Sequence, residues 1–179
     1  MHAKTLFITR IGLLLALTLA FQMIGLPQPV TGPVINAVLI LSCGLFGPWT
    51  ALVLGLVTPL AALVRGQLPP PLWPLVPCVM VANAILVVAF HAMRKAIRTH
   101  PGNAGWMIAV ISIFIPALLK FGFLAFCVKA LMPLLLGHPL PPALAAAFTL
   151  PQFFTALVGG AMALGMLRIL KAQTASTKK

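Results

Sequence analysis

Aspartate and glutamate are absent from all 179 residues of this chain, and so is tyrosine. Without a carboxylate side chain, paired general acid–base carboxylates, carboxylate metal sites and a Ser-His-Asp triad are unavailable within it. Cysteine is scarce: Cys43, Cys78 and Cys127 stand singly inside apolar segments with no C-x-x-C spacing. Neither a zinc site nor a disulfide framework is indicated, and the three read as small core residues. The four histidines, His2, His91, His100 and His138, fall at segment ends or in loops, where a solvated interfacial role is the default. A Gly-rich phosphate loop ending in Lys-Ser/Thr is missing, and so is an acid–histidine proton relay. The expectation is a protein with no metal, no cofactor, no catalysis and no energy source of its own.

What remains is apolar. Hydrophobic residues make up 61% of the chain, charged residues only 7%, and the mean hydropathy is +1.13. A soluble domain carries about 25% charged residues. The class implied is an all-α integral membrane protein resting in the lipid bilayer. Twelve Lys and Arg give a net charge of +12, which in a soluble protein suggests nucleic acid. Here the positive residues cluster at the ends of apolar runs, which is the positive-inside signature of a membrane protein and excludes a nucleic-acid partner.

Six spans are predicted over about 6–26, 34–46, 49–64, 75–93, 104–136 and 143–170, forming a single membrane domain of residues 1–179. The first resembles a signal-peptide core, but no small-residue cleavage site follows it, so it reads as a helix. Pro27, Pro29 and Pro33 delimit a predicted loop over 27–33. Pro59 is expected to kink the third helix, with neighbours re-satisfying the freed carbonyl. Five prolines between positions 69 and 77 make the stretch 65–77 a stiff loop. The run 104–136 exceeds a single span of about 20 residues, and Pro116 divides it, so it is either one bent helix or a helix with a re-entrant piece. A second proline-rich loop, 137–142, precedes a last helix that carries Gly159 and Gly160 as a close-packing pair. Lys4, Arg10, Arg94, Lys95, Arg98, Arg168, Lys171, Lys178 and Lys179 then fall on one side, placing both termini in the cytoplasm of a bacterial or archaeal cell and the proline-rich loops outside its inner membrane.

Polar groups inside such a chain are expensive, and function is the first reading of them. Gln22, Asn36, Arg65, Gln67 and Lys129 lie toward the predicted outer face, and Asn83 and Lys120 lie deeper, with Gln152 in the last helix. Neither lysine has an acid partner anywhere in the chain. A cavity lined by Arg65 and lysine without an acid would favour a carboxylate or phosphate ligand. Gly12, Ala16 and Ala20 share one face of the first helix at four-residue spacing, which lets another helix approach closely.

In order along the chain, Thr31-Gly32-Pro33-Val34-Ile35-Asn36-Ala37, Gly47-Pro48-Trp49, Leu56-Val57-Thr58-Pro59, Arg65-Gly66-Gln67-Leu68-Pro69-Pro70-Pro71, Asn83, Lys120-Phe121 and Leu150-Pro151-Gln152 form a pattern. With its six spans, the chain resembles the substrate-binding S component of energy-coupling factor (ECF) transporters over almost its whole length. The resemblance implies a six-helix subunit that captures a vitamin or related micronutrient from outside. It also implies partners: a transmembrane coupling subunit and two cytoplasmic ATPases. Ala16 and Ala20 match the family's small-xxx-small docking motif, and the loops at 27–33 and 65–74 match those that close over substrate. The substrate would then touch Asn36, Arg65, Gln67, Asn83, Lys120 and Gln152. The missing acids disfavour a cationic-ring ligand such as thiamin and favour an anion. The competing expectation is a membrane scaffold or accessory subunit whose polar residues only pack helices.

Overall fold

The computed structural model describes the backbone of residues 2–67, 70–99 and 103–176, with the side chains of 2–4, 71, 95–99, 103–105, 171–172 and 174–176 left aside. The expectations placed on His2, Lys4, Lys95, Arg98, His100, Lys171, Lys178 and Lys179 lie outside these described side chains. The elements are α1 (His2–Met23), α2 (Gln28–Phe46), α3 (Pro48–Val64), a 3-10 turn (Pro70–Leu75), α4 (Val76–Thr99), α5 (Asn103–Phe126), a π-helical segment (Cys127–Leu131), α6 (Met132–Leu136), α7 (Pro142–Ala147) and α8 (Leu150–Ser176). No strand occurs among the described residues. Five stretches are long and apolar enough to cross a membrane: Thr5–Met23, Gln28–Phe46, Leu72–Arg94, Trp106–Leu136 and Pro142–Leu170. A sixth apolar helix, Pro48–Val64, is shorter, at 17 residues.

Three boundaries differ from the sequence reading. The loop expected over 27–33 is mostly helix, because α2 already begins at Gln28. Pro29 occupies a first-turn position where a missing donor costs nothing, and Pro33 forfeits only the bond to the Pro29 carbonyl in the following turn. The expected last helix over 143–170 is divided. After α7 the chain breaks at Phe148 and Thr149, where Thr149 Oγ1 donates to the Ala146 carbonyl (3.0 Å) and the Thr149 carbonyl accepts from the Gln152 N–H (3.0 Å). Pro151, in the first turn of α8, marks the restart. The stiff stretch at 65–77 contains the 3-10 turn, whose Leu72 and Leu75 are buried, so it is packed down rather than merely looped. The long run at 104–136 is helical throughout, α5 passing through the π segment into α6. The π register directly precedes Pro133, which cannot donate, and the Met132 N–H reaches back to the Cys127 carbonyl.

Two apolar clusters hold the bundle. Leu39, Ile40, Leu54, Leu86, Val87 and Phe90 join α2, α3 and α4, with Ala156 and Ala163 of α8 closing the cluster. Leu72, Leu75, Cys78, Cys127, Met132 and Phe148 form the other, beneath the 3-10 turn. The three cysteines are buried and unbridged. The outside is apolar too: Leu13, Leu17, Trp106, Phe126 and Leu134 are exposed, a surface that suits hydrocarbon rather than water. At one end of the bundle Arg10 stacks over the Phe46 ring (5.4 Å), and Arg94 donates to the Cys43 carbonyl (3.1 Å). Both basic residues therefore mark the C-terminal end of α2.

The α2–α8 pairing is the most extensive in the bundle. Gly159 permits it, since a Cβ there would run into the Pro33 carbonyl and lie 2.8 Å from the Ala37 nitrogen. Gly160 faces the other way, onto Ile113 of α5, and the expected close-packing pair serves two partners. Phe153 adds ring contacts to Phe114 and Phe121 of α5, each at 5.7 Å. Gly159→Ala is expected to lose about 1–3 kcal/mol of stability, because backbone cannot yield as a side chain can. Thermal unfolding in detergent measures this, and an unchanged midpoint would refute the packing account.

Candidate functional site

The site begins with a proline. Pro59 has no N–H, so the carbonyl four residues earlier, that of Gly55, loses its helical partner. Asn83 of α4 supplies the replacement, with Nδ2 donating to that carbonyl at 3.0 Å. This bond fixes the amide, turning Asn83 Oδ1 toward α5, where it accepts from Lys120 Nζ at 2.9 Å. Lys120 Nζ also donates to Asn36 Oδ1 at 2.7 Å. Asn36 Nδ2 in turn donates to Thr155 Oγ1 (3.4 Å), whose hydroxyl donates to the Gln152 carbonyl (3.1 Å). One chain of hydrogen bonds thus ties α2, α3, α4, α5 and α8 together. Lys120 is only 3% exposed, Asn36 2% and Asn83 3%.

Above this cluster lies a cavity of about 320 Å³, lined by parts of α1 to α5, by Phe148 and by α8. Small-molecule sites run from about 300 to 1,000 Å³, so it suits a compact ligand. Every residue expected at the site lines it: Asn36, Arg65, Gln67, Asn83, Lys120 and Gln152. Ile35, Pro59, Ala62, Val79 and Phe148 supply apolar wall.

Arg65 and Gln67 owe their positions to the way α3 stops. The Gln67 N–H bonds to the Ala62 carbonyl and the Gly66 N–H to the Leu63 carbonyl, with Gly66 left-handed at φ 76°. This is a Schellman ending, which folds the chain back over the helix end. The Arg65 guanidinium reaches the connection between α1 and α2 and lies against Gly25, where any side chain would collide with it. Arg65 and Gln67 make no side-chain hydrogen bond to the protein among the described residues, and neither does the Gln152 amide.

Lys129 stands apart from the other polar groups. Lys129 is exposed on the π segment and does not line the cavity. Nine residues beyond Lys120 is about two and a half helical turns, which puts Lys129 on the opposite face. Ala16 and Ala20, expected to dock a partner, lie with Gly12 on an exposed face of α1. Gln22, grouped in the sequence with the polar residues of the outer face but not with the substrate contacts, lines the cavity, as do Gln28, Thr31, Thr58 and Phe148, which the sequence reading leaves out. Gln22 and Thr58 carried a usable signal, as polar residues inside apolar runs. Phe148 carried none, because only the break before α8 brings it there.

Chemically, the cavity offers a guanidinium near its mouth and an ammonium at its floor, with amides between them. When charged, Lys120 has three donors, and two of them go to Asn36 and Asn83, which leaves one for a ligand. No acid in the chain can neutralise either cation. The chain matches no protein-family model, no curated protein and no solved structure.

The Pro59–Gly55–Asn83 linkage is testable by a double-mutant cycle. Asn83→Leu is expected to cost about 1–3 kcal/mol, since it leaves the Gly55 carbonyl and one Lys120 donor unpaired. In a Pro59→Ala background the restored N–H can serve Gly55, so the same substitution should cost at least ~0.5 kcal/mol less. Additive costs in detergent unfolding would show that Pro59 and Asn83 are independent.

Proposed function

We propose that this chain is a membrane-embedded capture subunit that binds a small anionic micronutrient and has no catalytic chemistry of its own. The observation carrying this is the buried Lys120 ammonium, held by two neutral asparagines at the floor of a cavity that Arg65 also lines. A cation desolvated without an acid is costly, and a bound carboxylate or phosphate offsets that cost. The amides and the apolar wall fit the body of a compact vitamin-like molecule.

The six helices, counting the shorter α3, cross the membrane with proline-rich loops on the cavity side. Arg10 and Arg94 sit at the C-terminal end of α2, whereas the cavity opens at its N-terminal end, among Gln28, Thr31 and Asn36. The positive-inside rule then places the basic end and both termini in the cytoplasm and the cavity toward the outside. In this reading the membrane is the inner membrane of a bacterium or archaeon, and capture is from outside.

The likeness of the sequence motifs to ECF S components supplies the rest of the proposal. Uptake is driven by a transmembrane coupling subunit with two cytoplasmic ATPases, which dock on α1 through Ala16 and Ala20. The exposed small-residue face of α1 supports such a contact, since backbones can approach closely there.

Mass spectrometry of small molecules co-extracted with the detergent-purified protein tests the capture reading. The parent should retain an anionic compound that the Arg65→Ala, Lys120→Ala double variant loses. Arg65→Ala alone, at a half-exposed position, should weaken retention by about tenfold or more, as expected for a charge-assisted bond. Equal retention by all three sinks the site, and an empty parent favours a scaffold role. For docking, Ala16→Trp should abolish co-purification with an ATPase-bearing complex and leave ligand retention intact. Persistence of the complex would refute the α1 contact.

A further inference from the structure

Three buried side-chain oxygens have no hydrogen-bond partner among the described residues: Gln22 Oε1, Thr50 Oγ1 and Thr58 Oγ1. Thr50 lies in the first turn of α3, away from the cavity, but Gln22 and Thr58 both line it. Gln22 is 4% exposed and Thr58 2%. Buried polar atoms are almost always paired, so two orphans on residues that line one cavity ask for a partner there.

The geometry fixes what kind of partner. Gln22 Nε2 donates to the Thr58 carbonyl at 3.1 Å, so the nitrogen end of the amide is committed and the oxygen end is the one left over. An amide oxygen only accepts. The two cations at this site, Lys120 and Arg65, only donate, and the Asn36 and Asn83 oxygens are already taken by Lys120. A ligand consisting of an anion and an apolar body would satisfy the cations and leave Gln22 Oε1 desolvated and unpaired.

We infer that the ligand carries an N–H or O–H donor beside its anionic group, and that this donor meets Gln22 Oε1, with the Thr58 hydroxyl alongside. The levels along α3 order the site: Gly55 at the depth of Asn83 and Lys120, Thr58 at the depth of Gln22, Arg65 at the mouth. Three residues of helix rise about 4.5 Å, so the donor stands about one turn above the ammonium. That spacing fits a carboxylate on Lys120 with an amide or hydroxyl a few bonds away. The ligand class is an amido- or hydroxy-carboxylic acid, and simple fatty or keto acids are excluded. The inference rests on the anion-capture reading above.

Four small probes separate the two. N-acetylglycine has the carboxylate and an N–H; 4-oxopentanoate replaces that N–H by CH2; 4-hydroxypentanoate restores a donor as O–H; N-acetylglycinamide keeps the donor and loses the charge. Binding to the full-length parent in detergent is read by ligand-induced thermal stabilisation. N-acetylglycine and 4-hydroxypentanoate should each bind about tenfold more tightly than 4-oxopentanoate, the usual worth of one well-placed hydrogen bond. In Gln22→Met that ratio should fall toward one, whatever the absolute affinity. Equal binding of the three acids to the parent overturns the donor inference and leaves anion capture standing. N-acetylglycinamide binding as well as N-acetylglycine overturns anion capture instead, and failure of all four to bind overturns both. Because the first comparison uses only the parent protein, a poorly folding variant cannot mask the result.

Discussion

A lysine amine sits in the interior of a bundle whose chain contains no acid, and much of the polar architecture follows from it. A desolvated charge left alone is severely unfavourable, so the surrounding helices must supply dipoles. They do so from α2 and α4, through Asn36 and Asn83, whose amides are themselves anchored on α8 and α3. Pro59 of α3 belongs to the same arrangement, since it frees the carbonyl that orients Asn83. Gln22 attaches α1 to α3 one turn further toward the mouth. Each transmembrane-length element therefore meets the cavity through a polar group, in a molecule where such groups are few.

Much of this was visible in the sequence. Asn36, Asn83, Lys120 and Gln152 could be read as converging because hydrocarbon tolerates polar side chains only when they face one another or a cavity. Pro59 pointed to a carbonyl needing a new partner, and Gly159 and Gly160 to close approach. What stayed hidden depended on rotation and register. Lys129 has the same chemistry as Lys120, but the helical angle between them sends it outward. Proline was read too strongly at the start of α2, where first-turn positions tolerate it, and too weakly before α8, where the chain breaks ahead of Pro151. Gln22 was noticed as polar, yet its importance lies in which end of its amide is committed, which no sequence pattern states.

The two ends of the bundle carry their positive charge differently. At the end near Phe46, Arg10 rests on an aromatic face and Arg94 on a carbonyl, so these cations are held by the protein itself. At the cavity end the Arg65 guanidinium lies over Gly25 without a side-chain hydrogen bond to the protein among the described residues. The cations at the basic end thus have donors or a ring face committed within the protein, whereas the Arg65 donors stay uncommitted among the described residues, as the capture reading proposed above requires.

The same distinction explains why asparagine is well suited to positions 36 and 83. An aspartate at either would hold Lys120 more strongly, and it would also cancel the charge that the proposed anionic ligand would need. Neutral amide oxygens hold the ammonium in place without neutralising it, and they leave its third donor available. Stability is given up at this point in the core, where a closed ion pair would have been firmer, and positive potential is kept in a site of low dielectric where it acts strongly. A purely structural role would have no use for that exchange, which is why the acid-free cluster around Lys120 argues for binding rather than for packing alone.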